Sequence, residues 1–519
     1  MDKLENTNFI ERDIIESIAR GETIITRYPP EPNGYMHIGH AKAFYLDWLM
    51  AKKYGGYTNL RFDDTNPEKE DMEYVNAMQR DMKWLGLEWK QVLFASDYYE
   101  QLYEMAQSLI KKGLAYVDFQ TADEIKENRG NLQSPGIESP YRATSAEVNL
   151  AEFAKMRAGD YPDGHCVLRA KIDMSSGNMC MRDPVIYRIM RVPHYRTGTK
   201  WLIYPLYDFA HPLSDAIEGI THSICSLEFE ARRPLYDWFI EHAWQGKSRP
   251  RQFEFSRINI EQTVMSKRYL KKLVDAGRVD GWDDPRMPTI SGLRRRGYPP
   301  GAIIDFVAST GVSRTPMTVP LSALEFYVRS HLDKSAPRIN IVFNPIKVII
   351  INDNNREVLI EADDFSETPP KGWKRLSPVN TESNGTVRLR ELYIIKFERA
   401  IKDKKGQIKH LECTMVENSR SGNDTSGIKP NGTIHWVNSA EGVSVIVNEF
   451  FPLLKQGTSL DENNFTEITK VTTTAIAEPK IFEISETFQA VRKGFFIKDP
   501  TSSPKKIIIN KTVGLKEGW

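Results

Sequence analysis

The stretch Ile24–Gly56 limits most narrowly what this chain can fold into. It opens with an apolar run, is interrupted by three prolines between residues 29 and 32, and turns at Gly34. Proline cannot continue a central strand ladder, and glycine allows a tight turn. Apolar residues then recur at a spacing that suits one side of a helix, at Ile38, Phe44, Leu46, Leu49 and Met50. The stretch therefore predicts a strand, a turn and a helix that ends at Gly55-Gly56.

Two histidines stand at the start of that helix. His37 and His40 are three residues apart, so they share a face of the helix. A helix N-terminus presents free N–H groups and partial positive charge, which favour a phosphate. A lone His-x-x-His pair is more often two surface histidines on a helix cap. The preceding strand, proline turn and glycine favour nucleotide chemistry instead.

A second strand is predicted from Thr58, and it ends at Asp63 and Asp64. Strand, helix and strand begin a parallel α/β sheet, whose ligands lie beyond the carboxyl ends of the strands. Its position near the histidines favours a ligand role for Asp63, whereas Asp64 is as readily a cap for the following helix. Helices are predicted over 1–22 and 70–113. The buried side of the second region is formed by Met72, Val75, Met78, Met82, Trp84 and Leu85.

Turn signals separate short strand-like runs between about 114 and 203, which predicts a domain inserted into the nucleotide fold. The arginines of these runs either follow a phosphate backbone or form a solvated face, and composition leaves both open. They are Arg182, Arg188, Arg191 and Arg196. The run Trp201–His211 is predicted to return to the parallel sheet as a strand that delivers aromatic and hydrogen-bonding side chains, and residues 214–223 continue it.

Lys267 lies on a small polar loop that precedes a predicted helix. A lysine on a loop can close on a polyphosphate and neutralise the charge on a leaving group. A Ser-Lys-Arg run alone is more often plain surface. Residues 269–335 are predicted to be helical.

From about residue 338 the pattern changes to short strands separated by Gly, Asn, Asp and Pro turns, which favours β-barrels. Basic residues recur along these strands. Arginine-studded strands with aromatics nearby are a usual surface for single-stranded RNA loops. Taken alone, the pattern favours a β domain with ordinary surface charge.

Composition limits the classes of protein and partner. The 519 residues, with 40% hydrophobic and 27% charged side chains, predict two to four globular domains. The net charge is only +1, so any nucleic-acid surface must be a local patch. The four cysteines are scattered, which suggests neither disulfides nor a structural zinc. No signal peptide or membrane-spanning run is evident, so we expect a cytoplasmic protein without a membrane partner.

Motifs in order along nearly the whole chain resemble the class I aminoacyl-tRNA synthetases of the glutaminyl and glutamyl subfamily. They are His37–His40, Arg61–Pro67, Ser139–Arg142, Tyr207–Phe209 with His211, Val264–Arg268, Gly281–Thr289 and Asn510–Leu515. The resemblance implies a multidomain protein with a Rossmann-like α/β parallel-sheet catalytic domain, an acceptor-binding insertion, a helical subdomain and two C-terminal antiparallel β-barrels. The implied division is 1–100 with 204–260 (catalytic), 101–203 (insertion), 261–337 (helical), 338–382 with 485–519 (proximal barrel) and 383–484 (distal barrel).

The family reaction has two steps and uses ATP as a substrate, with Mg²⁺ on its phosphates and no zinc. A carboxylate attacks the α-phosphorus to give an aminoacyl-adenylate and diphosphate, and the terminal adenosine of a tRNA then takes the aminoacyl group. The resemblance implies catalytic roles for His37, His40 and Lys267. The implied ATP-binding residues are Glu31, His37, Gly39, His40, Arg257, Met265, Ser266 and Lys267. Those implied for the amino acid are Arg27, Asp63, Tyr207, His211 and Cys225.

Two positions favour glutamine over glutamate as the amino acid. A glutamate pocket needs a cation, whereas a glutamine pocket must satisfy a neutral amide. Glutamyl relatives look as though they carry arginine where this chain has Cys225, and often serine where it has Asn33. We therefore expect a glutamine–tRNA ligase. The alternatives are a glutamyl-tRNA synthetase of the non-bacterial type, an inactive tRNA-binding paralogue and a small-molecule adenylyltransferase.

The resemblance also implies that tRNA(Gln) is bound through its acceptor stem and anticodon by a monomer. Leu132 matches an apolar wedge at the first base pair, and Ala231 replaces an aspartate that reads the acceptor stem, so that reading is in doubt. The alignment around Lys374 is less secure, because neighbouring loops differ in length. The matching tRNA-binding positions are Leu132, Arg338, Lys374, Arg375, Arg388, Arg390, Gln489 and Arg492.

Overall fold

The structure is a computed structural model that describes residues 7–379, 384–461, 464–467 and 469–515. The chain divides into two compact units, 1–260 with 304–319, and 261–303 with 320–519. Among the described residues, no helix is long and apolar enough to cross a membrane.

Helices occur in both units. In chain order they are α1 (Phe9–Ala19), α2 (Ile38–Lys53), α3 (Met72–Trp84), α4 (Tyr99–Lys111), α5 (Ala122–Asn128), α6 (Ala146–Ala158), α7 (Tyr207–Ile217), α8 (Arg233–His242), α9 (Lys267–Asp275), α10 (Ile290–Arg295), α11 (Pro300–Ser309) and α12 (Leu321–Ser335).

The strands of the first unit are β1 (Ile25–Tyr28), β2 (Tyr57–Phe62), β3 (Val92–Phe94), β4 (Ala115–Asp118), β5 (Val167–Ala170), β6 (Val185–Ile189), β7 (Ile203–Pro205), β8 (His222–Ser226), β9 (Arg251–Phe255), β10 (Ile258–Ile260) and β11 (Met317–Val319). Within the described part of the chain they form three parallel sheets, which are β1-β2-β3, β8-β9 and β10-β11, and one antiparallel sheet, β4-β5-β6-β7.

The parallel strands carry the nucleotide-binding architecture predicted from the opening stretch. β1, β2 and β3 pair in parallel in that order, and β8 pairs in parallel with β9. The Thr221 N–H donates to the Ile25 carbonyl at 2.9 Å, which places the start of β8 beside β1. α2 crosses from β1 to β2 and buries Phe44, Leu46 and Met50, so the predicted strand, turn and helix are confirmed.

Two details of the first helical region differ from the sequence expectation. Residues 70–113 contain the short strand β3 between α3 and α4, which the helical pattern did not indicate. Met72 is 41% exposed, because it opens α3 before the helix turns its apolar face inward. Propensity and periodicity are least reliable at such element ends.

The insertion forms its own antiparallel sheet, in the order β4-β5-β6-β7. The predicted strand over Trp201–His211 is wrong beyond Pro205. β7 pairs with β6 in this sheet, and the Leu206 carbonyl then accepts N–H bonds from Phe209 and Ala210 at 3.0 Å to start α7. A short apolar run does not distinguish strand from helix, and tertiary pairing decided here. The helices α5 and α6 of the insertion were also not predicted.

Arginines of the insertion hold protein groups. The Arg182 guanidinium donates to the carbonyls of Arg129, Asn131, Ser134 and Ser176 at 2.7–3.0 Å. Arg191 donates to the carbonyls of Gly159 and Tyr161, and Arg196 pairs with Asp97. For these three, neither interpretation from composition describes the contacts, which are local and structural.

The second unit contains two seven-stranded curled sheets. Its strands are β12 (Arg338–Ile339), β13 (Ile341–Val342), β14 (Pro345–Ile350), β15 (Arg356–Glu361), β16 (Thr386–Leu389), β17 (Ile394–Lys402), β18 (Ile408–Met415), β19 (Thr433–Ile434), β20 (Val437–Asn438), β21 (Val443–Phe450), β22 (Lys470–Ala477), β23 (Phe488–Ala490), β24 (Gly494–Lys498) and β25 (Ile507–Val513).

Sheet membership differs from the barrel division expected from the sequence. One sheet has the order β19-β16-β17-β18-β14-β15-β20, so residues 345–361 join the strands of 386–438. The other has the order β12-β23-β24-β25-β21-β22-β13, so residues 443–477 join those of 488–513. Parallel pairs such as β14–β18 and β21–β25 bring distant segments together, which turn signals along the chain cannot reveal.

Gly56 is expected to be essential for the β1–β2 pairing. A Cβ at Gly56 would lie 1.9 Å from the Ile24 carbonyl oxygen, so Gly56→Ala must push β2 away from β1. We expect this variant to lose about 2 kcal/mol or more of unfolding free energy, measured by urea titration. Gly55 has a φ of +74° and nothing within 4 Å of its would-be Cβ. Gly55→Asn is therefore the matched control, and losses of equal size would contradict the steric argument.

Candidate functional site

The start of α2 is held by its own two histidines. His37 is the N-cap, and its Nδ1 accepts the Gly39 N–H at 3.1 Å. The His40 Nδ1 accepts the His37 N–H at 3.1 Å, and the two rings stack with centroids 3.8 Å apart. This is a reciprocal capping box in which both acceptors are imidazoles.

The capping box also fixes which ring nitrogen carries the proton. A nitrogen that accepts a backbone N–H cannot itself be protonated, so each neutral ring carries its hydrogen on Nε2. The two Nε2–H groups then act as donors at a helix N-terminus, where partial positive charge already accumulates. The arrangement suits an anionic oxygen, and the adjacent Gly39 leaves the backbone without a side chain at that point.

Asp63 stands at the carboxyl end of β2 with an unused acceptor. Its Oδ2 is buried and accepts no hydrogen bond from the residues that the structure describes. Burial raises the pKa of Asp63 to about 7, with Glu31 and Asp64 adding to the rise and Arg61 opposing it. The other oxygen, Oδ1, accepts a long hydrogen bond from the Thr65 hydroxyl at 3.4 Å. A buried carboxylate with one oxygen left unbonded is a position that a cationic group would stabilise.

Asp64 and Glu70 are buried beside it with different contacts. Asp64 accepts the Ser96 N–H at 2.8 Å and the Ser96 hydroxyl at 2.6 Å, so it ties β2 to the segment after β3. The N-cap of α3 is Asp71, so Asp64 does not cap that helix. Burial raises the pKa of Asp64 to about 7 and that of Glu70 to about 9. At neutral pH the Glu70 carboxyl is therefore protonated, and a protonated carboxyl is a poor ligand for a cation.

Arg27, predicted near a substrate carboxylate, is fully buried and held by protein groups. Its Nε donates to Asp215 Oδ1 at 3.0 Å, and its Nη1 to the Ile224 carbonyl at 2.9 Å. Its Nη2 lies 2.7 Å from His211 Nε2 and 2.5 Å from Ser223 Oγ. The guanidinium therefore links β1 to α7 and β8, and its role towards a ligand stays a prediction.

Arg61 approaches the same acid from β2. Its Nη1 donates to Asp215 Oδ1 at 2.7 Å and to Glu218 Oε2 at 3.2 Å. Burial alone would raise the pKa of Asp215, but the Arg27 and Arg61 guanidiniums hold it well below its usual range. Asp215 is thus a permanent anion shared by two permanent cations.

His211 lies between the two guanidiniums. Its Nε2 faces Arg27, and its Nδ1 is 3.3 Å from Arg61 Nη2. Burial lowers the pKa of His211 well below its usual value, and both arginines strengthen that shift although Asp215 opposes it. The ring is therefore neutral at physiological pH. It stacks on Tyr207 one helical turn away, with centroids 4.8 Å apart.

Cys225 lies on β8 at the same end of the sheet. The residue is buried, and burial raises the pKa of its thiol, so the side chain is neutral. Tyr207 and His211 present neutral groups as well. The predicted amino-acid residues Arg27, Tyr207, His211 and Cys225 are brought into one neighbourhood by β1, α7 and β8.

The predicted ATP residues fall in both units. Glu31 is exposed and accepts the Asn33 side-chain amide at 2.6 Å. Arg257, which follows β9, pairs with Glu228 at 3.2 Å. Met265 and Ser266 form the lead-in to α9 in the second unit, and Lys267 is its first residue. The helix predicted here is confirmed, but Lys267 is its first residue, whereas the sequence placed this lysine on the loop before the helix.

In the first unit, Leu132 is 77% exposed on the loop that Arg182 anchors. Ile137 on the same loop is 66% exposed, so this loop presents two apolar side chains to solvent. The Ala231 carbonyl accepts a hydrogen bond from the Asn178 side-chain amide at 2.7 Å.

The predicted tRNA residues of the second unit have two kinds of surroundings. Arg338 and Lys374 are exposed, and Arg338 is in register with Gln489 across the β12–β23 pair. Arg375 and Arg492 instead share the buried Asp364, which Arg492 binds with both terminal nitrogens at 2.6 and 2.8 Å.

On β16 and the turn after it, two arginines have acidic neighbours. Arg388 donates to the Ser419 carbonyl at 2.6 Å and pairs with Asp424. Arg390 lies 3.1 Å from Glu391. A role for either residue in binding RNA stays a prediction.

Sequence reasoning missed the acids that organise this site. Asp215 and Glu218 on α7, together with Arg61, form the centre of the buried network but had no assigned role. Charged residues inside strongly apolar runs are the signal that could have indicated them, because such residues are buried only when paired. Among the described residues, no cluster of three or more His, Cys, Asp or Glu side chains could hold a metal ion.

Comparisons with known proteins agree on one family. A family model described as tRNA synthetases class I (E and Q), catalytic domain, matches residues 23–334. A glutamine–tRNA ligase of Clostridium kluyveri is 47% identical over 100% of this chain and 99% of its own length. One from Pseudomonas syringae is 46% identical over 99% and 96%. A solved glutamate tRNA ligase of Elizabethkingia meningosepticum is 18% identical, covers 61% of this chain and 70% of its own, and has a TM-score of 0.45, too distant to add to the topology above.

Because burial raises the pKa of Asp63, this residue makes the free energy of unfolding depend on pH. Because the folded state binds the proton more tightly than the unfolded chain, stability falls as pH rises from about 4 through about 7. Asp63→Asn removes that cost, so the ligand-free variant should be more stable than the wild type at pH 8, by up to about 4 kcal/mol. The difference should shrink towards pH 4. Urea unfolding across this pH range measures it, and a wild type that is the more stable protein at pH 8 would contradict the prediction.

Proposed function

The chain belongs to the glutamine–tRNA ligases, within the class I tRNA synthetases for glutamate and glutamine, and we propose that the site above carries out both steps of that reaction. Glutamine is activated with ATP to glutaminyl-adenylate, and the glutaminyl group then passes to a tRNA. Two features of the site together carry the proposal. The start of α2 holds two imidazoles whose hydrogen is on Nε2, and Asp63 at the end of β2 has an oxygen, Oδ2, that accepts no hydrogen bond from the described residues.

The N-terminal end of α2 binds the phosphates of ATP. The glutamine carboxylate attacks the α-phosphorus of ATP, and the bond to the β-phosphate breaks to release diphosphate. Charge builds on the α-phosphate oxygens during this step, and fixed donors are most effective there because they need no reorganisation. His37 and His40 supply such donors from Nε2, with their rings oriented by the capping box.

The other end of the site takes the amino acid. The ammonium group of glutamine pairs with Asp63, whose Oδ2 accepts no hydrogen bond from the described residues and whose carboxylate gains stability from a cation. Tyr207 and the neutral His211 surround the side-chain amide, with Cys225 as a neutral wall. Arg27 acts from within the protein, by holding His211 and Ser223 in place.

The remaining ATP contacts come from Glu31, Gly39, Arg257, Met265, Ser266 and Lys267. The lysine would neutralise the polyphosphate as the leaving group departs. Magnesium would be held mainly by the phosphates and water, because no cluster of three or more His, Cys, Asp or Glu side chains among the described residues could hold a metal ion. Its contribution would be to neutralise charge on the phosphates.

The tRNA partner is proposed to be tRNA(Gln). The exposed Leu132 loop suits the end of an acceptor stem, and the exposed Arg338 and Lys374 suit an anticodon. Further contributions to tRNA binding are proposed for Arg375, Arg388, Arg390, Gln489 and Arg492. The arginines would either exchange their ion pairs described above for contacts with the RNA or hold neighbouring residues in position. We further propose that the enzyme acts as a monomer in the cytoplasm, where charged tRNA is used.

A charging assay tests this function. In the presence of ATP, the protein should charge tRNA with glutamine. His40→Ala should slow charging by about a hundredfold or more, because it removes one hydrogen-bond donor to the phosphate and one half of the capping box. His40→Asn keeps an acceptor near the Nδ1 position and serves as the matched control for helix folding. Faster charging with glutamate would favour a glutamyl enzyme, and no charging of any tRNA would indicate an inactive paralogue.

Cys225 gives a test of amino-acid choice. Cys225→Arg places a cation at the neutral wall, so glutamate should compete better and the preference for glutamine should fall by about tenfold or more. Cys225→Ser keeps the wall neutral and should retain the preference. Competition charging with both amino acids measures the ratio, and an unchanged ratio in Cys225→Arg would remove this residue from the specificity argument.

A further inference from the structure

A further cation stands at the outer side of the amino-acid pocket. Arg232 ends the short helical turn 227–232 that follows β8. Its Nη1 donates to both carboxylate oxygens of Asp208, at 2.6 and 2.7 Å. Asp208 lies in the first turn of α7, directly after Tyr207. This ion pair had no role in the sequence analysis.

The ion pair lies against the aromatic wall of the pocket. The guanidinium carbon of Arg232 is 6.0 Å from the Tyr207 ring centroid and 5.7 Å from that of Phe229. The Tyr207 and Phe229 centroids are 5.1 Å apart, and Tyr207 in turn stacks on His211. Arg232 is therefore separated from the proposed amide position by about one aromatic ring.

The inner cations of this pocket are already balanced. Arg27 and Arg61 share Asp215, and Glu218 adds a second acid beside Arg61. The side chains of Arg232 and Asp208 are 41% and 24% exposed, so solvent screens their electrostatic interactions only in part. An arginine at this distance, without its acid, would attract the one group that distinguishes glutamate from glutamine.

We propose that Asp208 is a specificity-determining residue that acts through Arg232. By pairing with the guanidinium, Asp208 keeps the outer wall electrically neutral, and the pocket then offers no net cation to a glutamate side chain. This inference rests on the proposed function, since it concerns the choice between two amino acids at that site.

Four proteins test the inference by tRNA charging with glutamine and with glutamate: wild type, Asp208→Asn, Arg232→Gln and the double variant. Asp208→Asn keeps the shape of the side chain and leaves the cation without its acid. Its kcat/KM for glutamate should rise about fivefold, through KM, and the gain should weaken at higher salt. Arg232→Gln should show no gain. The double variant should return to the wild-type ratio of glutamate to glutamine, because both charges are gone.

The outcomes separate charge balance from simple support. If the pair only buttresses Tyr207, then Asp208→Asn and the double variant would lose glutamine charging alike, with an unchanged glutamate-to-glutamine ratio, and the inference would be overturned. A gain in glutamate use that persists in the double variant would also overturn it. If the wild type charges neither amino acid, the proposed function fails and this inference fails with it. Urea unfolding of all four proteins confirms that each is folded.

Discussion

The proposed amino-acid site of this protein depends on one buried carboxylate shared by two arginines. Asp215 on α7 binds Arg27 from β1 and Arg61 from β2, so a single acid joins two neighbouring strands to the helix behind them. Isolated burial of any of these charges would be very costly, and the arrangement is stable only because all three are present. Further hydrogen bonds run from Arg27 to the Ser223 hydroxyl oxygen and from the Tyr236 hydroxyl to Asp215. The position of α7, and with it Tyr207 and His211, follows from this pairing.

The same network determines the chemistry of the pocket. Burial, reinforced by the two guanidiniums beside it, lowers the pKa of His211, which leaves a neutral ring next to a neutral thiol and a phenol. A site of this kind suits an amide. Elsewhere in the site, the unbonded Oδ2 of Asp63 suits a cation, and the two oriented imidazoles suit an anion. The site therefore presents three regions that differ in charge.

Much of the site could be anticipated from local patterns along the chain. The prolines, Gly34 and His37–His40 predicted a strand, a turn and a phosphate-binding helix start, and β1 and α2 confirm the strand and helix. Asp63 was expected at a strand end, and it lies there. The pattern failed for Tyr207 and His211, which were expected on a strand and lie on α7, because a short apolar run suits either structure. It also failed for the two C-terminal sheets, whose membership depends on parallel pairs between distant segments.

By itself, then, the sequence determined the residue types available for the chemistry and the local elements that carry them, because capping, turns and periodicity act over a few residues. Which groups meet was decided only by the tertiary structure. Asp215 is more than 150 residues away from Arg61 in the chain, and their contact of 2.7 Å arises from sheet order and helix packing. Asp208 and Arg232 are closer in the chain, 24 residues apart, but their pairing too depends on how α7 and the turn after β8 are placed. Pairing of buried charges over such separations is a property of the fold, because each charge is tolerated only where its partner is also placed.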